Sequence, residues 1–106
     1  MSDSNAPFDT LTMARIHLDQ GNLDEAEQLL TDALKHAEKL GAFDLRVAIS
    51  LQDMAEYYCQ KGDYGPSTVL YRRSLSIKCR VIGKNHENTM RTRRRIREIQ
   101  QMFPYS

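Results

Sequence analysis

Residues 20–41, QGNLDEAEQLLTDALKHAEKLG, and residues 61–83, KGDYGPSTVLYRRSLSIKCRVIG, carry one pattern twice. Gly21 and Gly62 stand 41 residues apart, and Gly41 and Gly83 stand 42 apart. Between them Asn22 falls on Asp63, Leu23 on Tyr64, Ala26 on Ser67, Leu29 on Leu70, Leu30 on Tyr71, Ala33 on Ser74 and Leu34 on Leu75. Upstream, Met13-Ala14 falls on Met54-Ala55. Few residues are identical, yet small residues meet small ones and large apolar residues meet large ones. Repetition at this period signals stacked units, each too small to bury its apolar face alone.

The unit itself reads as helical. Phe8, Leu11, Met13, Ala14, Ile16 and Leu18 have roughly helical spacing from Pro7 to Gln20. Gly21-Asn22 breaks the run, and both residue types tolerate positive φ. Ala26, Leu29, Leu30, Ala33, Leu34 and Ala37 then form a clear amphipathic stripe. Asp24, Glu25 and Glu27 suit the positive end of that helix. A third helix is predicted from about Leu45 to Lys61, with Leu51, Met54, Ala55 and Tyr58 as its buried stripe. Gly65-Pro66 opens a fourth, with proline expected at the first helical position and Val69, Leu70, Leu75 and Ile77 as its apolar residues. A fifth runs from Glu87 to Phe103, where Pro104 stops it. No segment alternates with period two over a useful length, so no strand is predicted.

The pattern resembles the tetratricopeptide repeat, in the long-looped form of about 42 residues found in kinesin light chains and their bacterial relatives. The residues carrying the resemblance are Met54-Ala55, Tyr58, Gly62-Asp63-Tyr64, Leu70-Tyr71 and Ser74-Leu75. Met13-Ala14, Gly21, Leu23, Ala26, Leu30 and Ala33 carry it in the first repeat. The joints KLGAFDLRVA and VIGKNHENTM are similar to the family's Leu-Gly-x-x-His-Pro-x-Thr joint. The implied fold is all-α, a short helix-turn-helix solenoid: repeat one over 7–41, repeat two over 45–83 and a capping helix over 87–103. Residues 1–6 are expected to be disordered, and 104–106 form a tail. His86 is assigned a packing and hydrogen-bonding role at the joint, with Asn85 or Asn88 as candidate caps for the helix that follows.

The resemblance also implies where a partner sits, because in this family the first helix of each pair lines a concave groove. The expected groove residues are Leu11, Thr12, Arg15, Leu18 and Asp19 in repeat one and Gln52, Asp53, Glu56, Cys59 and Gln60 in repeat two. Arg94, Arg95 and Glu98 follow on the fifth helix. Arg15, Glu56 and Glu98 form one row, and Thr12, Asp53 and Arg95 another. Family members that clamp an extended peptide usually carry asparagine in that second row. Asp53 stands there in this chain, and a carboxylate accepts hydrogen bonds without donating them.

Charge marks a second surface. Residues 1–60 hold four Lys/Arg against eleven Asp/Glu, a net −7, whereas residues 61–106 hold eleven against three, a net +8. In a solenoid, chain order is spatial order, so an acidic end and a basic end are expected. The basic end is concentrated in RTRRRIREIQQMF. There Arg91, Arg94, Arg95 and Arg97 form a candidate patch for an acidic protein surface, to be weighed against the solvated face of a capping helix. Nucleic acid is the alternative partner. The helix lacks interleaved aromatics for base stacking, and the acidic half would repel a phosphate backbone. A weak homo-oligomer is also expected, with Leu11 and Leu18 uncovered at the first repeat.

Chemistry is not indicated. The chain has no HExxH, no Gly-rich phosphate loop and no nucleophile elbow. His17, His36 and His86 lie on separate elements. His17 shares the core-facing position of Tyr58, and His36 suits a helix C-terminus. Cys59 and Cys79 form no metal spacing and are read as reduced thiols of a cytoplasmic protein. The opening MSDSNAPF has no secretory-signal pattern, and no run is long and apolar enough to span a membrane. The reading is a non-catalytic interaction module, an adaptor or assembly subunit, with no cofactor and no metal.

Overall fold

The apolar spacing is realised as five helices in a computed structural model of the protein, which describes the backbone from Ala6 to Met102 and side chains from Asp9 onward. They are α1 (Ala6–Asp19), α2 (Leu23–Glu38), α3 (Leu45–Lys61), α4 (Tyr64–Val81) and α5 (Glu87–Met102). There is no strand among the described residues. The disorder expected for residues 1–6 and the tail over 104–106 lie outside them, apart from Ala6, which opens α1.

Each helix packs on the next in chain order, and α1 also reaches α3. The stack measures 44 × 33 × 18 Å. Its core falls into three clusters that follow the order of the chain. Leu11, Ala14, Leu18, Ala26, Leu30 and Ala33 meet Tyr57 in the first. Ala37, Val47, Ala48, Leu51 and Ile77 form the second, and Ala55, Tyr71, Ile96 and Ile99 the third. Small residues let the helices approach: Ala26 and Ala33 in α2, and their counterparts Ser67 and Ser74 in α4, are all fully buried.

Gly62 ends α3 in the left-handed region at φ +84, and its N–H reaches the carbonyls of Cys59 and Tyr58. Gly21 repeats this after α1 at φ +78, while Asn22 stays at φ −83. The expected latitude is therefore used by glycine alone. Asp44 caps α3 by accepting the Arg46 N–H at 2.9 Å. At α5 neither Asn85 nor Asn88 is the cap. His86 takes that place: its carbonyl accepts from the Met90 N–H and its Nδ1 from the Asn88 N–H, at 2.9 and 3.1 Å. The proton of this ring therefore sits on Nε2.

Several expected core positions move. α4 starts at Tyr64, so Pro66 is its third residue, still within the turn whose N–H groups have no helical partner. Val69 is 62% exposed, whereas Ile77 is buried as expected, and α4 buries Ser67, Tyr71, Ser74 and Lys78 with it. Met13 and Ile16 are exposed, whereas Leu11 and Leu18 are buried. In α3 it is Tyr57 that is buried, and Tyr58 is half-buried at the edge of the first cluster. α3 is enclosed on three sides by α1, α2 and α4, so it buries Ser50 and Asp53 as well as its apolar stripe.

Candidate functional site

The face shared by α1, α3 and α5 is built of polar side chains that bond one another across the helices. Arg15 of α1 donates from Nε to Asp53 Oδ2 of α3 at 2.8 Å. Arg95 of α5 grips Glu56 of α3 with two N–H groups, at 3.0 and 3.4 Å, and Tyr71 of α4 donates its hydroxyl to the same carboxylate. Between these ties lies Lys78 of α4, which donates to Gln52 Oε1 at 2.5 Å and Thr92 Oγ1 at 2.8 Å. Fixing long side chains in advance removes part of the ordering cost of binding.

Two depressions sit along this face. One of about 150 Å³ is lined by Gln52, Glu56, Tyr71, Lys78, Asn88, Arg91, Thr92 and Arg95. Another of about 190 Å³ is lined by Arg15, Leu45, Ile49, Gln52, Lys78, Ile82 and Asn88. They share Gln52, Lys78 and Asn88, so they adjoin along α3 and are treated together as one groove. A larger hollow of about 440 Å³ is lined by α2 alone, at Asp24, Glu27, Gln28, Thr31, Asp32 and Lys35. A single helix cannot wrap a ligand, and that hollow is open surface.

Electrostatics set the character of the groove. Burial pushes the Asp53 carboxyl above the ordinary value of 3.8, against the pull of Arg15. Burial also pushes the Lys78 ammonium below the usual lysine range, and Arg91 adds to this. The Tyr71 phenol is raised, first by burial and then by its bond to Glu56. Lys78 is only 4% exposed and has no carboxylate within ion-pair distance among the described residues. Its polar needs are met by Gln52 and Thr92 instead.

Asp53 supports a prediction. A carboxyl whose folded pKa is raised contributes stability below its unfolded pKa, and that contribution is lost as pH rises through the folded value. At neutral pH the native state therefore carries the cost of a buried charge. Asp53→Asn keeps an acceptor for Arg15 and removes the charge. It is expected to raise the melting temperature by a few degrees at neutral pH, with the gain vanishing in acid. A variant less stable than wild type at neutral pH would show that the attraction of Arg15 outweighs burial.

The expected groove residues are only partly brought together. Arg15, Gln52 and Glu56 line the groove, whereas Asp53 is buried behind it and reaches it only through its bond with Arg15. Thr12, Asp19 and Gln60 are exposed but line neither depression. Leu11 and Leu18 are corrections: at 1% and 7% exposure they belong to the core between α1, α2 and α3. Cys59 is another, since it turns toward α4 with Sγ 2.9 Å from Ser67 Oγ. The arginine patch divides. Arg95 is held by Glu56 and, at 3.6 Å, by Glu98. Arg91 lies 3.3 Å from Glu87 and borders the groove. Arg94 and Arg97 are exposed and make no ion pair among the described residues.

Lys78, Tyr71 and Thr92 were not anticipated in the groove. The signal for Lys78 was its spacing: Ser67, Tyr71, Ser74 and Lys78 follow the core period of α4, and a lysine on that stripe must find polar partners or leave. No group of three His, Cys, Asp or Glu side chains able to hold a metal ion occurs among the described residues. None of their helices is long and apolar enough to cross a membrane.

The family model for the tetratricopeptide repeat matches residues 8–80. With more than half of the sequence matched and the helix pairs in place, the chain belongs to the tetratricopeptide repeat family, whose members generally mediate protein–protein interaction and are typically non-enzymatic scaffolds. No curated protein matches it.

Proposed function

We propose that this chain is a non-catalytic adaptor or assembly subunit of the cytoplasm, a single domain over residues 7–103 that seats a protein or peptide partner along the α1–α3–α5 groove. The observation supporting this is the set of cross-helix ties Arg15–Asp53, Gln52–Lys78–Thr92 and Glu56–Arg95, which holds the groove in one shape before a partner arrives. Asn88 and Arg91 at its mouth present donors beside the Lys78 ammonium, so the partner segment is acidic. Arginine suits carboxylates because its planar fork can make two parallel bonds.

Affinity capture with immobilised protein, with and without nuclease, tests the reading. Arg91→Glu and Gln52→Ala are expected to weaken retention of the captured partner, by about tenfold for the charge reversal, with helical content unchanged. Retention equal to wild type in both variants removes the groove as the docking site. Loss of capture on nuclease treatment points instead to nucleic acid bound by the arginines of α5.

A further inference from the structure

The two ends of the described stack are uncovered in a way that the repeat itself reveals. Positions Ala48, Leu51, Ala55 and Cys59 of α3 are buried or half-buried, and α4 packs on this helix. Their counterparts 42 residues later are Met90, Arg93, Arg97 and Gln101 of α5. Met90 is 42% exposed, and Arg97 and Gln101 are exposed with it. Arg94 lies on the same side, since 90, 94, 97 and 101 follow the helical period opposite the buried Thr89, Thr92, Ile96 and Ile99. The other end mirrors this. Met54 and Tyr57 of α3 pack into the first cluster, while their counterparts 41 residues earlier, Met13 and Ile16, are 53% and 52% exposed. Met13 also lines a cleft of about 280 Å³ with His17, Glu25, Gln28, Leu29 and Asp32.

Each end is a helix face that is covered elsewhere in the same molecule, and the two ends are opposite in charge. The α5 end offers Arg94 and Arg97 around Met90. The α1–α2 end offers Glu25 and Asp32 around Met13 and Leu29. Neither these arginines nor these carboxylates make an ion pair among the described residues. An apolar centre rimmed by complementary charge is the usual composition of a specific contact.

We propose that copies of this chain associate head to tail, the arginine face of α5 in one copy seated on the acidic α1–α2 cleft of the next. The contact is heterologous, joining two different surfaces, so it propagates instead of closing at a dimer. It uses faces distinct from the α1–α3–α5 groove and stands whether or not that groove holds a partner.

Charge reversal at each end tests it. One variant carries Arg94→Glu and Arg97→Glu, the other Glu25→Lys and Asp32→Lys. All four side chains are exposed, so both variants are expected to keep wild-type circular dichroism. Sedimentation velocity over a range of protein concentration should show wild type growing past a dimer at low salt and less at high salt. Each variant alone should lose association by about tenfold or more. An equimolar mixture should recover it, because the reversed faces now match each other and the unreversed faces still match. Wild type that remains a single chain at all concentrations overturns the proposal, as does a mixture that fails to recover. A dimer that survives Arg94→Glu/Arg97→Glu but is lost on Met13→Glu/Ile16→Glu also overturns it, since the acidic ends would then be meeting each other.

Discussion

Tyr71→Ala is expected to remove most of the stability of the protein. Tyr71 is among the largest fully enclosed side chains, 2% exposed in the cluster with Ala55, Ile96 and Ile99. Truncating a buried aromatic residue to alanine costs about 3–5 kcal/mol, against a total of about 5–15 kcal/mol for a typical domain. A short stack lies toward the low end of that range, because each repeat gains stability only from its neighbours. The loss is also unevenly spread. α5 is attached through its packing on α4 and through the Arg95–Glu56 fork that the Tyr71 hydroxyl supports. Urea unfolding should place Tyr71→Ala far below wild type, and hydrogen exchange should show α5 opening first. Tyr71→Phe separates the two contributions: the ring remains, and loss of a bond to a charged acceptor costs about 1.5–3 kcal/mol. Equal midpoints for the alanine and phenylalanine variants would mean that the ring contributes nothing, and the account of the third cluster would be wrong.

Ser74→Leu should be damaging for the opposite reason. Ser74 is fully buried where α4 crosses α3, and its hydroxyl donates to the Ala48 carbonyl at 2.8 Å. Ala48 is fully buried as well. Two small residues bring these helices together, and a leucine there has no room without separating them. Overpacking costs about 1–3 kcal/mol and at times more. Lys78 lies one turn along the same face of α4, so separation of the helices also disturbs its bonds to Gln52 and Thr92. Ser74→Ala is the control, keeping the volume and losing one neutral hydrogen bond, worth about 0.5–1.5 kcal/mol. Thermal melts should rank wild type, then alanine, then leucine well below. A leucine variant as stable as the alanine variant would show that the α3–α4 contact has slack.

Both positions illustrate which parts of this molecule are readable in its residues. Ser74 stands where the first repeat has Ala33, and Tyr71 where it has Leu30. Register set Ser74 on a small residue and Tyr71 on a large apolar one, although the apolar spacing of α4 pointed to Val69 and not to Tyr71. The five helices follow from local order: the 3.6-residue apolar period, glycines at their ends and prolines confined to first turns or beyond. The stripe of α2 was legible nearly residue by residue, because α2 buries one continuous face.

Where a helix has more than one neighbour, periodicity stops being sufficient. α3 touches α1, α2 and α4, so its buried set includes Ser50, Asp53 and Tyr57. A period that reports a single apolar face cannot distinguish Tyr57 from Tyr58. Leu11 and Leu18 looked like groove residues because family register alone placed them there. Packing against α2 and α3 drew them into the core, where burial of apolar area is most favourable, and left Met13 and Ile16 outside.

The arginine run shows the same division between local and distant causes. Its composition made the end of the chain basic, and the repeat register implied a solenoid with charge separated along it. Some pairs are local, Arg91 with Glu87 and Arg95 with Glu98, but the fork that ties Arg95 to α3 comes from Glu56, 39 residues earlier, while Arg94, its immediate neighbour, has no such partner. Sequence by itself determined the helices, the repeat and the polarity of charge, because each follows from residues near one another along the chain. Tertiary structure alone decided that Lys78 would lie beneath the groove and that Arg15, Asp53, Glu56 and Arg95 would be spent on one another. Those outcomes depend on which side chains face each other across packed helices, and adjacent residues of one helix point 100° apart.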